Sequence, residues 1–190
     1  KENNEIRRYV AGSLSKLYRF EEADSVYKTM YKIEPTADIL TEWASLEAQS
    51  GKTENAISKL DQALTLDKTS KRLIKLIQTV YENKPDSMRY YIAKWQPSFN
   101  PLPEKVQYLV MLWNYDNSAW YNADSLATNL LLNEDLNIRS RAQLIKGISA
   151  YQIHSYESAI MELYKTVYLY SDIPELVLEA KRYIIKSYLA

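Results

Sequence analysis

The sequence predicts an all-α fold in which pairs of amphipathic helices repeat along the chain. Leu40, Trp43 and Ala44 fall at i, i+3 and i+4, which is the spacing of one helix face. Only three Gly and six Pro occur in 190 residues, which suits helices joined by short connections. Similar patterns also recur at intervals of 33 to 36 residues, or about twice that distance.

The clearest helix pair lies between Leu40 and Leu66. Gly51 separates its two segments, and a glycine past a helix end adopts a backbone conformation that other residues resist. Apolar residues return at helical spacing in the second segment: Ala56, Ile57, Leu60, Ala63 and Leu64. Such short helices cannot cover both apolar faces alone, so they must stack against similar pairs.

The second segment has counterparts elsewhere in the chain. Ala23 lies 33 residues before Ala56, Ala123 lies 67 residues after it, and Ala159 follows 36 residues later. Residues 22–25 (EADS) nearly match 122–125 (NADS), and YKTMY at 27–31 nearly matches YKTVY at 164–168. Each interval therefore predicts one helix pair, or two for the double interval.

The remaining elements follow from apolar periodicity and from breaks. Helices over 5–18 and 21–33 form the first pair, which Pro35 closes. Ser70 is the expected N-cap of a helix to Tyr81, and a shorter helix covers 88–95. The pattern resumes at Glu104, and Pro174 opens the last helix, which gives eleven helices in all. We expect one domain over 1–190, with a bend at the proline-rich segment 96–103.

This period and residue pattern resemble the tetratricopeptide repeat, a helix–turn–helix unit of about 34 residues. The matching residues are Ala23, Tyr27 and Pro35; Leu40, Trp43, Ala44, Gly51, Ala56 and Ala63; and Leu144, Gly147, Ile148, Tyr151, Tyr156 and Ala159. The resemblance implies a right-handed α–α superhelix of about five helix pairs plus a C-terminal helix. The third repeat departs from it, because Tyr90 and Tyr91 stand where a small residue is expected.

No residue pattern in the sequence is typical of an enzyme. The chain has no cysteine, which excludes disulfides and thiolate sites. His154, the only histidine, falls in a predicted turn and is interpreted as an exposed residue. Glu134 and Asp135 lack the spacing of a calcium loop. We therefore expect no catalysis, no cofactor and no metal.

Composition also limits the class of partner and the location. The 24 basic and 24 acidic residues balance, so neither nucleic acid nor an anionic membrane is indicated as a partner. No apolar run approaches the roughly 18 residues of a membrane span. The chain opens at Lys1 rather than Met, and its polar start suits a removed leader. A bacterial envelope or periplasmic location is therefore favoured over the cytoplasm.

In tetratricopeptide arrays the first helices line a concave groove, so the resemblance implies groove positions in this chain. They hold Glu5, Arg8 and Lys16 in the first repeat, Asp38, Thr41, Ser45 and Gln49 in the second, and Lys71, Ile74, Gln78 and Tyr81 in the third. In the fourth and fifth repeats they hold Val106, Leu109, Trp113, Ala142, Ile145 and Ile153. An apolar row is the candidate partner-binding surface: Ile74, Tyr81, Leu109, Trp113 and Ile145. The alternative is that neighbouring helices cover this row. A carboxylate clamp is not expected, because Gly12, Thr41 and Ser45 stand at its groove positions.

A basic patch and many tyrosines remain to be interpreted. Lys68, Lys71, Arg72 and Lys75 suit docking of an acidic partner, although a solvated helix start is the simpler interpretation. Most of the 17 tyrosines fall on predicted buried stripes, so we expect core packing. These core tyrosines are Tyr27, Tyr108, Tyr115, Tyr151, Tyr164 and Tyr188.

The function predicted from these observations is a non-catalytic scaffold or adaptor that binds a peptide or protein segment in its concave groove. One alternative is a structural subunit of a larger assembly, such as one in a cell envelope. A third hypothesis is a helical accessory region of a longer protein.

Overall fold

The structure, a computed structural model, describes residues 2–190, with side chains from residue 4 onward. The start at Lys1, from which we inferred a removed leader, lies outside the described residues. The described residues contain no strand and eleven α-helices. These are α1 (Glu2–Lys16), α2 (Phe20–Ile33), α3 (Ala37–Gln49), α4 (Thr53–Leu66), α5 (Ser70–Asn83), α6 (Met88–Trp95), α7 (Glu104–Asp116), α8 (Trp120–Leu130), α9 (Leu136–Gln152), α10 (Tyr156–Leu169) and α11 (Pro174–Tyr188). The predicted all-α class is confirmed.

The chain folds into two compact units, Lys1–Asn100 and Pro101–Ala190, each of which contains several helix pairs. From here on, the first unit and the second unit mean these two parts of the chain. The first unit contains α1 to α6 and the second contains α7 to α11. Their boundary falls within the proline-rich segment 96–103, where a short 3-10 turn over Gln96–Ser98 follows α6. A single domain over 1–190 with a bend in this segment remains a prediction.

Helix pairs are the building block of both units. In four of the pairs the second helix presents a small residue to its neighbours, and Ala23, Ala56, Ala123 and Ala159 are all 0% exposed. The exception is α6, whose buried residues are Met88 and Trp95. Small side chains let helix axes approach closely, which lets the surrounding apolar residues interlock. The repeating alanines predicted from the sequence therefore lie in the core.

The turns inside four of the pairs share one backbone geometry. Tyr18, Gly51, Ser118 and His154 have φ of 59°, 79°, 59° and 62°. In each turn the next amide donates to a carbonyl five residues earlier, as in Arg19 N–H to Leu14 O at 2.9 Å. This is the Schellman motif, which satisfies carbonyls at a helix end. Gly51 was predicted correctly, whereas the other three positions use residues that resist this conformation.

Some local predictions are wrong. Thr69 rather than Ser70 caps α5, accepting the Arg72 N–H at 3.4 Å. Among the predicted core tyrosines, Tyr27 is buried, but Tyr164 and Tyr188 are 37% and 65% exposed. The reason in α10 is the angle of the stripe, because Leu163 and Thr166 occupy the buried face and turn Tyr164 outward.

A buried ion pair joins the helices of the first unit. Glu47 of α3, 4% exposed, accepts a hydrogen bond from Lys59 of α4 at 2.7 Å. The Lys59 ammonium lies 4.2 Å from the centroid of the Trp43 ring, and the Trp43 indole donates to Asp24 at 2.6 Å. These contacts link α2, α3 and α4 through polar groups inside the unit.

Candidate functional site

The first helices of the three pairs in the first unit are α1, α3 and α5, and their side chains line two cavities. The larger, about 640 Å³, is lined by Asp38, Thr41, Thr69, Lys71, Arg72, Ile74, Lys75 and Gln78. The smaller, about 320 Å³, is lined by Gly12, Ser15, Lys16, Tyr27, Glu42, Ser45, Leu46 and Gln49. We call the two cavities together the first-helix groove.

Long polar side chains bridge the first helices across this groove. Between α1 and α3, Ser15 donates to Gln49 at 2.7 Å, and Arg8 Nε lies 3.1 Å from Glu42. Between α3 and α5, Arg72 donates to Asp38 and Lys75 donates to Ser45. Since these side chains occupy the space between the helices, the backbones stay apart and the groove remains open.

Arg72 is one of the side chains that form these bridges. Its guanidinium donates to the carboxylates of Asp38 and Asp67, and its side chain is only 12% exposed. The two carboxylates neutralise the guanidinium charge, so Arg72 shapes the larger cavity without supplying free positive charge to it.

Lys71 and Lys75 differ from Arg72 in this respect. Among the residues that the structure describes, neither ammonium has a carboxylate within ion-pair distance. Lys75 is half-buried and donates to the neutral hydroxyl of Ser45. Burial, and then the nearby Lys71 charge, lower the pKa of Lys75, while Glu42 opposes the shift. The larger cavity therefore has two ammonium groups that form no ion pair with a described carboxylate, although Glu42 lies near enough to attract Lys75.

The groove positions implied by the resemblance agree with these cavities in the first unit. Eight of the eleven line them, namely Lys16, Asp38, Thr41, Ser45, Gln49, Lys71, Ile74 and Gln78, whereas Glu5, Arg8 and Tyr81 do not. Three of the four basic-patch residues meet at the larger cavity, whereas Lys68 is exposed and does not line it. Sequence reasoning missed five lining residues, namely Ser15, Tyr27, Glu42, Leu46 and Thr69. Tyr27 and Leu46 were missed because both lie on packing faces.

The predicted apolar row is not a continuous exposed surface. Ile74 lines the larger cavity, and Tyr81 and Trp113 are half-buried. The expected exposure of Leu109 and Ile145 is wrong, since they are 8% and 1% exposed. Ile145 packs with Met111 and Ala142 inside the second unit, because apolar and small side chains let its helices close together. The alternative interpretation, burial by neighbouring helices, therefore applies to these two residues.

Other site classes find no support in the described part of the chain. No group of three or more His, Asp or Glu residues there could hold a metal ion. No helix there is both long enough and apolar enough to cross a membrane. His154 lies exposed in its turn, where its Nδ1 is 2.8 Å from the Tyr156 hydroxyl.

Comparison with known proteins identifies the fold. No protein-family model and no curated protein matches this sequence. A tetratricopeptide repeat protein from Parabacteroides merdae has a TM-score of 0.73 at 14% identity, covering 97% of this chain and 73% of that chain. The APC/C hetero-tetramer Cut9–Hcn1 gives 0.54 at 15%, covering 95% of this chain and 42% of that chain. A tetratricopeptide repeat protein from Thermus thermophilus gives 0.51 at 12%, covering 95% and 98%. The chain therefore has the all-α helical-repeat fold of tetratricopeptide repeat proteins.

Proposed function

We propose that this protein is a non-catalytic interaction scaffold that binds an extended segment of a partner protein in the first-helix groove. The observation that carries the proposal is the pair of cavities on α1, α3 and α5, which Ser45 and Lys75 link across α3. Concave sites with a few placed polar groups are where proteins bind ligands.

The dimensions of the groove suit a short extended segment. The axes of helices in direct contact lie roughly 8–10 Å apart, and side-chain bridges separate α1, α3 and α5, so three first helices span at least about 20 Å. An extended chain advances about 3.3 Å per residue, which gives a segment of at least about six residues. The lining includes the amides of Gln49 and Gln78, whose remaining donor and acceptor capacity can satisfy the main chain of such a segment.

One structural relative supports an interaction role. The Cut9–Hcn1 hetero-tetramer is described as an assembly of different chains, so a related fold takes part in a protein complex there. For the present chain the partner and the binding surface are our proposal.

The test blocks the groove without disturbing the core. Gln78 is exposed, lines the larger cavity and bonds Glu82 at 2.8 Å on its own helix. Gln62 of α4 is its matched control, because it is exposed, bonds Ser58 at 3.2 Å and lines neither cavity. A phage-displayed library of random twelve-residue peptides is selected on the wild-type protein. Selected peptides should bind Gln78→Trp at least tenfold more weakly than the wild type and bind Gln62→Trp unchanged.

Circular dichroism of the three proteins checks that each is folded. Peptides that bind Gln78→Trp and the wild type equally well would move the binding surface out of the first-helix groove. A library that yields no binding peptide would contradict the proposed function.

The structural-subunit alternative rests on a separate observation. Exposed apolar side chains lie on α1, where Ile6 and Tyr9 are 59% and 78% exposed, and on α10, where Met161 and Tyr168 are 60% and 74% exposed. Exposed apolar patches often mark association surfaces. Sedimentation velocity over a hundredfold concentration range tests this alternative, which predicts concentration-dependent association.

A further inference from the structure

We infer that Lys71 and Lys75 form an anion subsite of the first-helix groove, which takes the carboxylate side chains of an acidic segment within the partner chain. The inference rests on the proposed function and names the chemistry of the segment that the groove binds.

The first argument is that the ammonium groups of Lys71 and Lys75 form no ion pair with a described carboxylate. Lys71 and Lys75 are four residues apart on α5, which places their Cβ atoms roughly 5–6 Å apart on one face. Both line the larger cavity together with only one carboxylate, that of Asp38, which Arg72 already holds. The neighbouring Glu42 is paired with Arg8 across the smaller cavity. Two ammonium groups therefore share a cavity in which the nearby described carboxylates have cationic partners.

The second argument is the electrostatic benefit of an anion at this position. Burial and the proximity of Lys71 disfavour the charged form of Lys75, which lowers its pKa. A carboxylate between the two ammonium groups would offset their repulsion and replace the water that Lys75 has lost. Charge-assisted hydrogen bonds of this kind are stronger than those between neutral groups. The cavity is thus complementary to negative charge.

The third argument concerns the side chain next to the carboxylate. Ile74 lies between the two lysines in sequence and lines the same cavity. Side chains two residues apart lie on the same face of an extended chain. A segment with an acidic residue and an apolar residue at i and i+2 would therefore place a carboxylate on the lysines and the apolar group on Ile74.

The fourth argument favours an internal segment over a chain terminus. Lys75 reaches Ser45, which lines the smaller cavity on the other side of α3. The groove therefore continues past the subsite, and a bound chain has room on that side. Both an acidic side chain and a chain terminus can supply a carboxylate. The experiment therefore separates side-chain carboxylates from a terminal one.

The experiment measures fluorescence anisotropy with three labelled twelve-residue peptides. The first repeats Glu-Ser-Leu and has an amidated C-terminus, the second has Gln in place of every Glu, and the third is the Gln peptide with a free C-terminal carboxylate. We expect the Glu peptide to bind the wild type at least tenfold more tightly than either Gln peptide. This preference should shrink as salt is raised from about 0.05 M to about 0.3 M, because surface charges are screened.

Lys68 supplies the matched control for charge removal. It is exposed on the turn before α5 and does not line the cavity, so Lys68→Met removes the same charge outside the subsite. We expect Lys71→Met and Lys75→Met each to weaken binding of the Glu peptide about tenfold or more, and Lys68→Met to change it less than twofold. Lys71 is exposed, so its variant leaves the core intact and tests the subsite even if Lys75→Met unfolds.

Three outcomes separate this inference from the proposed function. Equal binding of the Glu and Gln peptides, still blocked in Gln78→Trp, overturns the anion subsite and leaves the groove as the binding site. Preference for the free C-terminal carboxylate over the amidated Glu peptide overturns the internal segment. An equal loss in Lys68→Met and Lys71→Met also overturns the subsite, because net charge alone would then explain the binding.

Discussion

The first helices of the two units carry different side chains, and the difference determines how exposed the residues between these helices are. In the first unit, Arg8, Arg72 and Lys75 reach across to polar groups of α3. In the second unit, the corresponding helices α7 and α9 bury apolar residues, with Leu109 and Ile145 at 8% and 1% exposed. Long polar side chains bridge the first helices of the first unit, whereas apolar side chains of α7 and α9 pack together. One repeat design therefore lines a groove in the first unit and buries apolar first-helix residues in the second.

The second helices show no such difference. Ala23 and Ala56 in the first unit and Ala123 and Ala159 in the second are all fully buried. The close packing within pairs is therefore common to both units, and the distinct character of each lies in its first helices. Variants placed in each of the two units can test this comparison.

The largest expected effect concerns the buried ion pair of the first unit. Its Glu47 lies in α3, and the matching positions of α7 and α9, counted from the turns, hold the uncharged buried residues Asn114 and Ala150. Lys59→Met leaves the Glu47 carboxylate buried without its cation, which should lower the free energy of unfolding by about 3–5 kcal/mol. Urea denaturation measures the loss. The double variant Lys59→Met with Glu47→Leu should recover most of it, and a double variant no more stable than the single one would show that the pair itself is not the cause.

The next effect compares two isoleucines on first helices. Ile145→Ala in α9 removes a fully buried side chain and should cost about 2–5 kcal/mol of unfolding free energy. Ile74→Ala in α5 removes a half-buried side chain that lines a cavity, so a loss below about 1 kcal/mol is expected. Thermal and urea unfolding provide the measurement, and equal losses at both positions would contradict the contrast between a groove and a core.

Two glycines give a smaller effect with opposite signs. A Cβ at Gly147 in α9 would lie 2.7 Å from Leu163 Cδ2 and 3.1 Å from the Leu163 backbone nitrogen, so Gly147→Ala should cost about 1–3 kcal/mol. A Cβ at Gly12 in α1 meets nothing within 4 Å, so Gly12→Ala should add about 0.5–1 kcal/mol through helix propensity. Calorimetry should show the melting temperature falling for the first variant and rising for the second.

The smallest effect should be alike in both units. Tyr18 and Ser118 hold the left-handed conformation that Gly51 adopts without a Cβ. Replacement of either by Gly relieves a strain of roughly 1–2 kcal/mol but increases the entropy of the unfolded chain, so a net gain of about 0.5 kcal/mol is expected. Tyr18→Ala and Ser118→Ala are the controls and should not stabilise. A gain confined to one unit would mean that the turns are not equivalent.

Much of the fold was predictable because it depends on local patterns. The eleven helices follow from apolar periodicity, and the alanine spacing follows from the need for close packing in four of the pairs. Gly51 was found because glycine alone signals a left-handed turn, whereas Tyr18, Ser118 and His154 carry no such signal. The groove positions of the first unit were predictable from the repeat register. The state of Arg72 was not, since its two carboxylate partners, Asp38 and Asp67, are 34 and 5 residues away in sequence.

Local sequence pattern was enough to establish the class of the protein, because a 3.6-residue apolar period and a repeat of about 34 residues leave stacked helix pairs as the way to bury every apolar stripe. The accessibility of individual first-helix residues required the packed structure. That outcome depends on how closely neighbouring helices approach, which is set by pairs of side chains one repeat apart. Ile74 and Ile145 look alike in sequence, but polar bridges hold a cavity open beside the first, and apolar neighbours close over the second.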